Sequence, residues 1–103
     1  MIHILTAEYL TDYRVRFTFS DGREEREGVV DLRPVILEDQ REAFSALRDL
    51  SMFKRLSIDH GALCWPGGPD IAPEYIYFLA FRDDESLRDL FEEWGYIEAG
   101  VAV

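Results

Sequence analysis

The chain has 103 residues, of which 48% are hydrophobic and 14% aromatic. That is the make-up of one globular domain, too apolar for a disordered segment and too short for a doubly wound dinucleotide-binding sheet or an eight-fold barrel. Twenty-one acidic against eleven basic residues give a formal net charge of -10, which repels phosphate backbones and anionic lipid and so disfavours nucleic-acid and membrane binding.

Residues 1–69 carry a net charge of -3 and residues 70–103 one of -7, so the acidity is concentrated in the last third. Cys64 is the one cysteine, which excludes an intrachain disulfide. No run of about 18 apolar residues predicts a transmembrane helix. The start, Met1 to Glu8, lacks the basic and then apolar pattern of a secretory leader. A cytoplasmic location is the expectation.

In chain order, Ile2 to Leu10 reads as a strand. Tyr13, Val15, Phe17 and Phe19 then alternate with Arg14, Arg16 and Thr18, the period of a strand with one buried and one wet face. Asp21-Gly22 signals a hairpin turn, with a return strand over Arg23–Leu32. Two registers are open. A two-residue loop sets Arg16 opposite Glu27, and a three-residue loop sets Val15 opposite Val29. The charged run Arg23–Glu27 is expected to project beyond the sheet as a solvated tip.

Pro34 stops the strand, and Glu42–Leu50 predicts a short helix packed by Phe44 and Leu47. Leu56 and Ile58 belong to a further strand that turns at Asp59–Gly61 and returns through Ala62–Trp65. Gly67-Gly68-Pro69 forms a compact loop. Pro73 opens a helical turn that carries Tyr75, Ile76 and Phe78 into the core. Asp83 and Asp84 then cap an amphipathic helix over 84–94, with Leu87, Leu90, Phe91 and Trp94 on one face and Gly95 as its stop. Tyr96–Val103 is apolar enough for a terminal strand or a segment that packs on a partner.

The run Cys64-Trp65-Pro66-Gly67-Gly68-Pro69-Asp70-Ile71-Ala72-Pro73-Glu74-Tyr75-Ile76-Tyr77 resembles the signature of a small bacterial family, domain of unknown function 2442 (DUF2442). Phe19-Ser20-Asp21-Gly22, Val30-Asp31-Leu32, Phe44, Leu47-Arg48-Asp49 and Phe53 follow the same family's order. The resemblance covers about residues 4–77 and implies a compact α+β domain around an antiparallel sheet. It implies no catalytic residues. Association with a neighbouring small protein suggests an antitoxin-like role for the family, and some longer members carry a helix-turn-helix domain. Here the run Arg23–Gly28 looks longer than the family's usual turn. The acidic end, Phe78–Val103, has only Arg82 and Arg88 as bases and makes a poor groove reader.

Each candidate site has a structural account beside the functional one. Trp65, Pro66, Asp70 and Pro73 read as a chain-turning loop, with Asp70 as an Asx-type cap and Trp65 as core. Cys64 as a nucleophile would need a base, for which His60 and His3 are the options; mid-strand beside Trp65 it reads as a small buried hydrophobe. Neither a zinc pattern nor a phosphate-cradling loop is present, so no catalytic, cofactor or metal residue is assigned. The stripe Leu87, Leu90, Phe91 and Trp94 either caps its own sheet or docks on another chain, with the acidic face steering a basic partner.

The sequence therefore predicts one α+β domain over 1–103: a family-like core at 4–77 and an acidic extension at 78–103. Its architecture is an antiparallel sheet of about five strands with two or three short helices. The expected function is a non-enzymatic protein-interaction or antitoxin-like accessory with a basic partner protein or a second copy. The alternatives are a small enzyme or ligand-binding domain using Cys64, His60 and Asp70, and a transcriptional regulator.

Overall fold

The computed structural model describes residues 1–38 and 42–98. Its first sheet is an antiparallel meander of β1 (His3–Thr11), β2 (Arg14–Ser20) and β3 (Glu25–Asp31), in the order β1-β2-β3. The alternation seen in the sequence is the cause. Tyr13, Val15, Phe17 and Phe19 are all buried, while Arg14 is exposed and Arg16 and Thr18 are half-exposed. Each fully buried side chain of this size contributes about 1.5–3 kcal/mol.

The β2–β3 hairpin takes neither of the expected registers. Ser20 pairs with Glu25, Phe19 with Arg26, Phe17 with Gly28 and Val15 with Val30, leaving a four-residue loop over 21–24. The Asp21 carboxylate selects the longer loop by accepting the backbone N–H groups of Arg23 and Glu24, both at 2.8 Å. Of the run expected to project as a solvated tip, Glu25, Arg26 and Glu27 lie instead within β3. Arg26 faces the inner side, because Phe19 opposite it is buried.

After β3, a π-helical turn (Pro34–Glu38) and a 3-10 helix (Glu42–Arg48) lead into α1 (Leu50–Phe53). The helix expected over 42–50 is thus split at Asp49, whose carboxylate caps α1 by accepting the Ser51 N–H at 2.9 Å. Phe44 and Leu47 are buried, as their spacing predicted.

A second antiparallel sheet follows: β4 (Ser57–Asp59), β5 (Ala62–Cys64) and β6 (Asp70–Ile71). The chain therefore builds two three-stranded sheets where one sheet of about five strands was expected. Short strands explain the difference. The β4–β5 hairpin meets β1 with its turn, where His60 and Gly61 have φ of 52° and 80°. The Ile4 N–H donates to the Gly61 carbonyl at 2.9 Å. A Cβ on Gly61 would lie 2.6 Å from His3 Nδ1, so the approach requires glycine.

Next come α2 (Pro73–Phe81), a 3-10 turn (Glu85–Leu87) and α3 (Arg88–Trp94). Pro73 stands in the first turn of α2, where its missing N–H costs nothing. The buried residues of α2 are Ile76 and Tyr77; Tyr75 and Phe78, expected inside with Ile76, are half-buried. The helix expected over 84–94 forms as the 3-10 turn and α3, closed by Gly95 in the left-handed region at φ 85°. Tyr96 to Glu98 form no strand. The rest of the expected terminal strand lies outside the described residues.

Gly61→Ala should destabilise the protein by about 1–3 kcal/mol, since it strains a positive φ and drives a methyl group into His3. Gly67→Ala also has a positive φ but meets nothing within 4 Å, and should cost less. Urea unfolding of the two variants checks the order.

Candidate functional site

The chain's thiol, its imidazoles and Asp70 are not assembled into one site. Cys64 is half-buried in β5, and its Sγ lies 3.4 Å from Ser57 Oγ. His60 projects from the β4–β5 turn with a 93% exposed side chain and pairs with Asp59 at 2.9 Å. Asp70 is the cross-strand partner of Cys64, but the cleft it lines with Phe44, Tyr75 and Tyr96 includes neither Cys64 nor His60. Among the described residues, no three His, Cys, Asp or Glu side chains are grouped to hold a metal ion. No helix among them is long and apolar enough to cross a membrane.

The loop after β5 is held by its backbone. The Trp65 N–H donates to the Pro69 carbonyl at 3.0 Å, and the Gly68 N–H to the Trp65 carbonyl at 3.3 Å. Gly67 and Gly68 supply φ of 94° and 108°. The Trp65 ring is buried, and its Nε1 donates to the Phe53 carbonyl at 2.8 Å. Pro66 is exposed. Asp70 does not act as the expected Asx-type cap; it lies exposed in β6.

The stripe Leu87, Leu90, Phe91 and Trp94 faces the chain's own core. Phe91 is fully buried, and the other three are half-buried. Phe91 and Trp94 set their rings edge-on to Tyr77, at 6.3 and 6.1 Å between centroids.

The open feature of the surface is the outer edge of β3. Flanking hydrogen bonds fix which backbone groups point where. The Leu32 N–H donates to the Tyr13 carbonyl, and the Asp21 N–H to the Glu24 carbonyl. With the observed register, the intervening bonded pairs are Val15–Val30, Phe17–Gly28 and Phe19–Arg26. The N–H and C=O groups of Glu25, Glu27, Val29 and Asp31 therefore point away from the sheet. They meet no backbone partner among the described residues.

At the Val29–Asp31 end of this edge lies a cleft of about 350 Å³. Val29, Val30 and Asp31 form one wall, and Pro34, Val35, Tyr75, Leu79 and Ala80 lie across it, with Arg82 and Asp83 completing the lining. Val29 is 49% exposed beside the cleft. The edge of β1 differs, since the Gly61 carbonyl takes its Ile4 N–H.

An aromatic and ionic clamp holds α2 beneath β3. Gly28 lets the helix approach so closely that a Cβ there would lie 3.1 Å from Ala80 and Phe81. The Arg26 guanidinium lies 4.2 Å over the Phe81 ring, donates to Tyr77 Oη at 3.3 Å and pairs with Asp84 at 3.0 Å. Hydrogen bonds from Ser86 hold the Asp84 carboxyl below its usual range, with Arg26 adding to the effect. The Ser51 hydroxyl lowers Asp49 in the same way. At Asp21 the backbone N–H groups of Glu24 and Arg23 do so.

A protein-family model described as protein of unknown function (DUF2442) matches residues 4–82. No curated protein and no solved structure matches the chain.

Because the folded state lowers the pKa values of Asp21, Asp49 and Asp84, their contribution to stability is present above the usual carboxylate value. It is lost as pH falls through their lowered folded values. Asp84→Asn should therefore melt below the parent at pH 7, and the gap should close as pH falls well below 3.8, the usual value for aspartate. Thermal melts of the pair between pH 7 and pH 2 measure this.

Proposed function

The chain belongs to the DUF2442 family of proteins of unknown function, and we propose that it is a protein-interaction module that takes a strand of another protein onto the edge of β3. One observation carries the reading: Glu25, Glu27, Val29 and Asp31 turn their backbone groups outward along one edge, and a cleft of about 350 Å³ opens at its Val29–Asp31 end. Strand addition uses main-chain hydrogen bonds for affinity and pockets beside the edge for selectivity, and the open backbone groups of β3 and the cleft at its end supply the means for both. The inner side chains of an added strand would enter the cleft against Leu79, Ala80 and Val35.

The Leu87, Leu90, Phe91 and Trp94 stripe has a different part in this account. It buttresses α2, which supports β3 from below. An antitoxin-like accessory would use the edge in the same manner, by occupying a strand-forming segment of its partner. His60 projects into solvent from the β4–β5 turn, apart from the paired Cys64 and Asp70, which favours this over an enzyme built on those three residues.

Proline at Val29 gives a selective test, because it removes an N–H that points outward and leaves the β2–β3 ladder intact. Tagged parent and Val29→Pro proteins, both confirmed folded by circular dichroism, are used to capture partners from cells of the source organism. A partner that the parent retains and the proline variant loses is the expected outcome. Equal capture by both proteins, or none by either, would refute the reading.

A further inference from the structure

Resting on that edge reading, we infer that the occupant is an extended segment of a basic protein, with Lys or Arg on the side chains that lie beside Glu25, Glu27 and Asp31. The argument is the order of charge across the solvated face of the first sheet. On that face β1 presents Glu8, β2 presents Arg14 and Arg16, and β3 presents Glu25, Glu27 and Asp31. Arg16 bridges Glu8 on one side and Glu27 on the other. Arg14 reaches Asp31 at 4.0 Å. The strands thus alternate acid, base, acid, and the next strand in that order is basic.

Glu25 has no ion pair among the described residues, and the side chains of Glu27 and Asp31 stay 63% and 44% exposed despite their pairs with Arg16 and Arg14. Opposite charges across a strand pair are favourable, while like charges placed opposite one another are destabilising. A second copy of this edge is the wrong occupant. Two β3 strands paired antiparallel about Gly28 would set Glu25 against Asp31 in both halves. On the inner side the requirement changes. The residue opposite Val30 would lie over the cleft wall formed by Val35, Leu79 and Ala80, so an apolar side chain fits there. The recognised pattern is a strand of alternating basic and apolar residues, not merely a cationic chain.

Fluorescence anisotropy with labelled synthetic peptides tests this. One peptide alternates Lys and Val, a second has the same composition with Lys and Val in separate blocks, and a third alternates Glu and Val. The alternating basic peptide should bind at least about tenfold more tightly than the blocked one, and the acidic peptide should not bind. Glu25→Lys with Glu27→Lys should weaken binding about tenfold and flatten its salt dependence. Glu25→Lys alone breaks no ion pair and controls for folding.

Equal binding of the alternating and blocked peptides, or indifference to the charge reversals, would overturn the inference. So would self-association of the protein that Val29→Pro abolishes, which would identify a second copy as the occupant. If the peptides fail while a captured partner still depends on Val29, the basic-strand inference falls and the edge reading stands. If both fail, both fall.

Discussion

A residue in an antiparallel strand spends its N–H and C=O on one side only, and its neighbours spend theirs on the other. In β3 this alternation divides the strand in two. Arg26, Gly28 and Val30 bond to β2, while Glu25, Glu27, Val29 and Asp31 face outward. The same division sorts the side chains. The residues that hold the sheet together also turn inward, onto Phe81, Ala80 and the core. Those that leave their backbone open carry the acids and the exposed valine. One register thus decides both how the domain is held together and which backbone groups of β3 stay open.

The register itself has a local cause. Asp21 gathers two N–H groups and widens the turn to four residues. A loop shorter by one residue would shift every β3 side chain to the opposite face. Arg26 would then leave Phe81 and Asp84, and Gly28 would no longer admit α2. The clamp and the turn are therefore consistent with each other, and each penalises slippage of the other.

Much of the fold was legible in the sequence because it is written in periodicity and turn chemistry. Tyr13 to Phe19 alternate, Gly61 and Gly95 stand at left-handed positions, and Pro73 opens a helix. What was not legible depends on pairing at a distance. An Asp-Gly pair invites a two-residue turn, and the hydrogen bonds of Asp21 are joined by the tertiary fit of Gly28 against Ala80 and Phe81 in favouring the longer one. The division into two sheets also escaped, since a three-residue strand does not reveal which neighbour it will lack. The open edge of β3 was hidden for the same reason. Arg23–Glu27 reads as a solvated charge run until Arg26 is seen to fold back over an aromatic ring. Conversely, the stripe of Leu87, Leu90, Phe91 and Trp94 was plain in sequence, but amphipathicity alone does not say whose core it serves; here it packs on Tyr77 and Phe78.

The division of β3 into bonded and open positions can be measured residue by residue through amide hydrogen exchange in the isolated protein. The amides of Arg26, Gly28 and Val30 should exchange slowly, and those of Glu25, Glu27, Val29 and Asp31 rapidly, in strict alternation. Uniform protection along the strand, or slow exchange at the odd-numbered positions, would mean that the edge is already occupied or the register is wrong, and would contradict the account at its root.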